Sequence, residues 1–252
     1  MVLMGTTELP EAVRINIGVP QVLVMSWLNI VIVFLLSLFA TRRLSMVPRK
    51  LQSVLEMGLD FVYGLVDSVI GPDGKHYYPL FIGLFLYIFV GNLMGLVPGL
   101  TAPTSNLNST VSLALVVFFS THYFGVRKQG LVGYLKHMTG EVPWWLKPFM
   151  FIIEIISHLA RPLSLSFRLF GNMMAKEVLL GVLAMLVVIF LPSKSLMQKA
   201  LTAGPFLVLP FIYLLGMLIS FIQAFIFTIL AIFYIGSAVE VQHETIDHGR
   251  RH

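Results

Sequence analysis

The chain has 252 residues, 57% of them hydrophobic and only 12% charged, with a net charge of +5 and no cysteine. A soluble domain carries about 25% charged residues, so this composition, with a mean hydropathy of +0.88, belongs to an integral membrane protein. The missing cysteines exclude disulfides, thiol catalysis and cysteine-held clusters.

The N-terminal tail "MVLMGTTELPEAVRINIG" contains Glu8 and Glu11 and lacks a basic leader region, so the first apolar run is expected to be retained rather than cleaved. A membrane span needs about 20 apolar residues to cross about 30 Å of hydrocarbon. The first span is expected at 19–40, ended by "TRR". Over 48–70, Leu51, Leu55, Leu59, Val62 and Val66 recur at helical spacing, while Glu56, Asp60 and Asp67 interrupt too often for a crossing. That pattern predicts an amphipathic helix lying in the interface; a helix of a soluble core has the same pattern. Second and third spans are expected at 79–98 and 109–126, joined by the turn-rich, uncharged "GLTAPTSNLNS".

The last two apolar stretches, 147–191 and 205–240, are too long for simple crossings. Wholly helical, they would run about 67 Å and about 54 Å, well beyond the hydrocarbon thickness. Each therefore needs a steep inclination or a break, and Pro162 and Pro210 are the candidate kinks. The expected architecture is a single all-α transmembrane domain over 1–252: five crossings, one interfacial amphipathic helix, and a steeply inclined antiparallel pair at the end, shaped to lie against a curved partner. Eleven Lys/Arg fall in segments 41–79, 127–147 and 241–252, against Arg14, Lys194 and Lys199 on the opposite side. The positive-inside rule then puts the N-terminus outside and the C-terminus in the cytoplasm.

The remaining three basic residues, Arg161, Arg168 and Lys176, all sit on the fourth span. The span's midpoint falls near Arg168, and that of the fifth falls near Gln223, so the guanidinium and the amide are expected at similar depth. A charge at the bilayer centre costs about 2.5–3.5 kcal/mol even on the lenient insertion scale, so Arg168 must face protein or water. Glu154, Ser157, Arg161, Ser164, Arg168, Gly171 and Ala175 are spaced alternately three and four apart, a stripe of polar and small residues that another helix can approach closely. Asn172 lies one turn beyond Arg168 on nearly the same face. Static helix–helix glue is one reading of the stripe. The other uses the acids on either side: Glu177 toward the outside, Glu154 toward the cytoplasm, with a permanent cation between them. That is what two offset proton-access paths separated by a barrier need, because an arginine does not pass a proton along.

At these residues the chain resembles a known family. "SLSFRLFGNMMAKE", "ISFIQAFIFTILAIFYI" and "GNLMGLVPGLTAPTSNLNSTVSLAL" are similar to subunit a of the F-type ATP synthases, as are "RKLQSVLEMGLDFVYGLV" and "YYPLFIGLFLYIF". The resemblance implies a non-catalytic stator subunit of the bacterial inner membrane, with Arg168 as the essential arginine facing the ion-carrying carboxylate of a rotating c-ring and Gln223 as the glutamine on the partner helix. It places Asn172, Glu177 and Asn92 in the outer half-channel, and Glu154, Ser157 and Ser164 near the cytoplasmic exit. The partners it implies are the c-ring, peripheral-stalk b subunits, the remaining synthase subunits and lipid; it implies no nucleic acid, cofactor or metal. Lys176 and Gly216 depart from the family's pattern, standing where a small glycine and a histidine or other polar residue are often found.

Two other classes of function were weighed. A stand-alone ion-coupled transporter or channel would show inverted repeats or matched broken spans, and the sequence has neither. A metalloenzyme built on "HETIDH" would need histidines four apart, whereas His243 and His248 are five apart. His122, His137 and His158 lie near span ends and are expected to be ordinary interfacial residues.

Overall fold

The computed structural model describes residues 21–41, 50–97, 99–139, 143, 145–190 and 196–239. These form six helices and two short 3-10 turns: α1 (Gln21–Thr41), α2 (Lys50–Val69), α3 (Tyr78–Met94), α4 (Leu107–Thr139), α5 (Lys147–Phe190) and α6 (Leu196–Val239), with the turns at Pro72–Tyr77 and Pro103–Ser105. Five of the helices are long and apolar enough to cross a membrane. The "HETIDH" segment lies outside the described residues.

The amphipathic α2 packs its buried stripe, Val62 and Val66, into a core shared with α3 and α6. Phe61 at its edge stacks against Phe85, Phe221 and Phe225 with ring centroids 6.3, 5.9 and 5.4 Å away. Its far end is tied to α3, where the Tyr78 hydroxyl donates to Asp67 at 2.5 Å. A polar contact ties α1 to α3: Asn29 Nδ2 donates to the Tyr87 carbonyl at 2.9 Å. The approach is possible because position 91 is glycine; a Cβ there would sit 2.9 Å from that nitrogen.

Two boundaries differ from expectation. The third crossing does not stop at Val126: α4 continues to Thr139, with a break at Gly130, whose φ of 74° is open to glycine. Beyond the break the chain doubles back, and Tyr134 lies flat on Gly125, where a Cβ would meet the ring at 2.5 Å. Arg127 and Lys128 end the apolar run but not the helix. Likewise the helix α6 begins at Leu196, ahead of its apolar span Leu207–Val239, because a polar first stretch can be helical without being apolar.

α5 and α6 are each 44 residues long, and each runs without interruption through its proline, Pro162 or Pro210. At 1.5 Å per residue that is about 66 Å of helix apiece. Where they touch, rising numbers on α5 meet falling numbers on α6: Arg161 with Tyr234, Asn172 with Gln223, Lys176 with Ser220. α4 covers α5 on another side, with Thr110 Oγ1 3.4 Å from Ser166 Oγ. Even so, only 11% of the membrane window of α5 is buried within the chain, so most of this helix is left for lipid or another subunit.

Candidate functional site

The span Lys147–Val188 is centred on residues 167 and 168, and the span Leu207–Val239 on Gln223. Around that level the structure joins the two helices through one amide pair: Asn172 Nδ2 donates to Gln223 Oε1 at 2.7 Å, with Gln223 itself only 2% exposed. One turn before Asn172 stands Arg168. Its side chain is exposed at the edge where α5 meets α6, and among the described residues it has no hydrogen bond and no ion pair. Ser164, Gly171 and Ala175, on the same side of α5, are exposed as well. A permanent cation thus stands free in a strip of small side chains.

The stripe expected from Glu154 to Ala175 is split. An α-helix drifts about 20° per heptad relative to a strict seven-residue repeat, so over three heptads the line turns by about 60°. Its upper part faces outward. Its lower part turns toward α4 and α6, where Arg161 places its guanidinium 5.1 Å from the centre of the Tyr234 ring and 3.9 Å from Glu154 Oε1. Ser157 is half-buried in that stretch.

Eight to nine residues up α5 from Arg168 is a second polar cluster. Lys176, 5% exposed, extends its Nζ to the carbonyl of Asn92 at 2.7 Å and to Ser220 Oγ at 3.3 Å. Asn92 lies in the last turn of α3, where carbonyls lack helical partners, so the ammonium takes an acceptor that the fold would otherwise leave unmet. Asn92 Oδ1 accepts from Thr104 Oγ1 at 2.6 Å, while its Nδ2 is buried with no partner. The neighbouring Glu177 is half-buried and accepts a hydrogen bond from the backbone N–H of Ala102 at 3.0 Å. Gly216 makes room for this arrangement: a Cβ there would lie 3.5 Å from Lys176 Cδ and 2.7 Å from Leu96 Cδ2. The two positions that depart from the family pattern are therefore neighbours.

The structure brings Arg168, Asn172 and Gln223 together, and gathers Asn92, Lys176, Glu177 and Gly216 at one end of the pair; Glu154 and Ser157 lie toward the other. Sequence reasoning passed over Thr104 and Ser220. Ser220 carried a faint signal, since Gly216, Ser220 and Gln223 follow i, i+4, i+7 on one face of α6; Thr104 carried none. It also misread two histidines. His158 is only 9% exposed, with its ring 5.2 Å from that of His122 in an edge-on contact, so neither is an ordinary interfacial residue. The side chain of His137 lies outside the described residues.

Comparison with known proteins bears on the whole chain. The family model described as "ATP synthase A chain" matches residues 23–236. "ATP synthase subunit a" of Geobacter sulfurreducens is 42% identical over 94% of this chain and 95% of its own length. "ATP synthase subunit a 1" of Syntrophotalea carbinolica is 44% identical over 86% of this chain and 85% of its own. The protein of the same name from Trichlorobacter lovleyi, without the numeral, is 39% identical over 94% and 95%. With these matches spanning the five crossings and the site between α3, α5 and α6, the chain belongs to the ATP synthase A chain family.

Proposed function

We propose that this membrane subunit is the stator element that carries ions to and from the c-ring of a rotary ATP synthase, through two half-channels offset across Arg168. It is a multi-pass protein of the bacterial plasma membrane by its helices and its relatives. In this reading its N-terminus is outside, its C-terminus is cytoplasmic, and the chemistry of ATP formation belongs to other subunits.

The observation that carries the reading is the state of Arg168. An exposed guanidinium at mid-span, unpaired among the described residues, is costly against lipid and calls for a carboxylate from another chain. Ser164, Gly171 and Ala175 beside it let a helix bearing that carboxylate come close. Proton entry runs past Glu177 and the Asn92 amide, whose unpartnered Nδ2 is a place for water. The ring carboxylate, protonated from that side, carries the proton round. It loses the proton on the Glu154 side when Arg168 attracts the anion. Because a guanidinium accepts no proton, Arg168 blocks the short circuit between the two paths.

Cross-linking tests the facing surface. With no native cysteine in the chain, a cysteine at Gly171 should form a disulfide with one placed beside the ring carboxylate in the assembled complex. A cysteine at Leu163, about 140° round α5 from Arg168, should not. Cross-links from Leu163 and none from Gly171 would contradict the proposed contact.

A further inference from the structure

His122 of α4 and His158 of α5 meet in a narrow cleft between α4, α5 and α6, with an internal volume of about 10 Å³, about enough for one water. Thr121, Arg161 and Tyr234 line the same part of it; toward the level of Arg168 its walls become apolar, with Ala114, Val117 and Leu165. Five titratable or charged groups surround His158: Glu154 and Arg161 on its own helix, His122 and Tyr134 from α4, and Tyr234 from α6.

We propose that His158, backed by His122, is a proton-relay residue that takes the proton released at the level of Arg168 through this cleft and passes it to Glu154, on the cytoplasmic side. The proposal rests on the half-channel reading above and deepens its exit path. A histidine bonded to a glutamate one turn away is ordinarily a packing contact, and three observations favour a relay here. First, His158 Nε2 lies 3.3 Å from Glu154 Oε1, so donor and acceptor already face each other. Second, the Nδ1 of His122 lies 2.8 Å from the Phe118 carbonyl oxygen. A carbonyl only accepts, so Nδ1 carries a hydrogen and Nε2 is the nitrogen left for proton exchange. Third, the Tyr134 hydroxyl, on a ring 5.9 Å from that of His122, is buried with no partner, which marks a place that water fills. His122, His158 and Glu154 thus form a line of groups able to take up a proton, with the Tyr134 hydroxyl beside His122.

The step involves proton movement alone. A cleft water carrying the released proton, directly or by way of His122 Nε2, gives it to His158 Nδ1, an O–H bond breaking as the N–H bond forms. The imidazolium's Nε2–H bond then breaks as an O–H bond forms at Glu154 Oε1, Glu154 loses that proton to the aqueous side, and exchange with the cleft water restores the starting tautomer. Arg161, 3.9 Å from the same oxygen, neutralises the carboxylate left behind.

The test uses the assembled enzyme in vesicles, with ATP-driven proton pumping measured across a range of pH. His158→Gln keeps a hydrogen bond to Glu154 but holds no extra proton. It should slow pumping about a hundredfold, the low end of what a positioned proton carrier contributes, and flatten its pH dependence. His122→Gln should give a smaller loss in the same direction. Added imidazole should restore part of the rate in His158→Ala. A normal rate and pH profile in His158→Gln would overturn the proposal, as would a loss that imidazole does not relieve and that leaves the pH profile unchanged. Should His158→Gln fail to assemble, His122→Gln decides by the same criteria. Arg168→Ala in parallel separates the two claims: if it is inactive while the histidine variants are normal, only the relay fails; if it synthesises ATP normally, the half-channel reading fails with it.

Discussion

Lys176 and Gly216 can be tested as a coupled pair, and the geometry fixes what to expect. Lys176→Gly removes a charge-assisted hydrogen bond to the Asn92 carbonyl, worth about 1.5–3 kcal/mol, and leaves that carbonyl buried. A glycine in the helix interior adds about 1 kcal/mol relative to alanine. Gly216→His fails for a different reason: its Cβ would stand 2.7 Å from Leu96 Cδ2, and the ring beyond it would compete for space with the lysine stem, which lies in ordinary contact 3.5 Å from that Cβ. Overpacking of that kind costs about 1–3 kcal/mol. In the double variant the imidazole occupies the space the lysine vacates and can itself donate to the Asn92 carbonyl. The cycle should therefore show a coupling of about 1–3 kcal/mol in the stability of the purified membrane sector. Proton flux should fall in each single variant and recover in part in the double. The measurement is thermal unfolding of the detergent-solubilised complex together with passive flux in vesicles. Strictly additive losses in both would refute the argument that the two side chains share one space.

Glu177→Gln preserves an oxygen for the Ala102 N–H but removes the titrating group, so it should slow flux with assembly unchanged, while Glu177→His should retain more activity. Equal flux in Gln and Glu over a range of pH would make the residue structural. Topology is open to single-cysteine labelling. Asn108 is an exposed probe for the outer side, and Lys75 serves for the opposite side. Reagent that does not cross the membrane should reach Asn108→Cys from outside and Lys75→Cys from the cytoplasm; labelling of both from one side would contradict the five-crossing topology.

The crossings were legible because lipid demands long apolar helices, and α1, α3, α5 and α6 follow from hydropathy alone. The extension of α4 past Arg127 and the early start of α6 were not, because charge ends an apolar run without ending a helix. At the site, the depth argument set Arg168 level with Gln223, and in the structure it is Asn172, one turn beyond Arg168, that hydrogen-bonds Gln223. The outer cluster was harder to read: Lys176 is satisfied by a backbone carbonyl of α3, and no side-chain pattern reports a free carbonyl at a helix end. His122 and His158 belong to different helices, and only the antiparallel packing of α4 on α5 brings them together.

The central claim is that the unpaired guanidinium of Arg168 couples ring rotation to ion flow, and one variant tests it most directly. Arg168→Ala removes the charge while leaving Asn172, Gln223 and the small-residue strip in place, so the complex should still assemble with its ring. ATP synthesis driven by an imposed proton gradient should vanish in vesicles carrying this variant, and ATP-driven pumping with it. Passive leak through the membrane sector should persist or rise. Arg168→Lys should fail as well, because it keeps a charge but loses the planar fork and its reach. Near-normal coupled synthesis in the assembled Arg168→Ala complex would contradict the account.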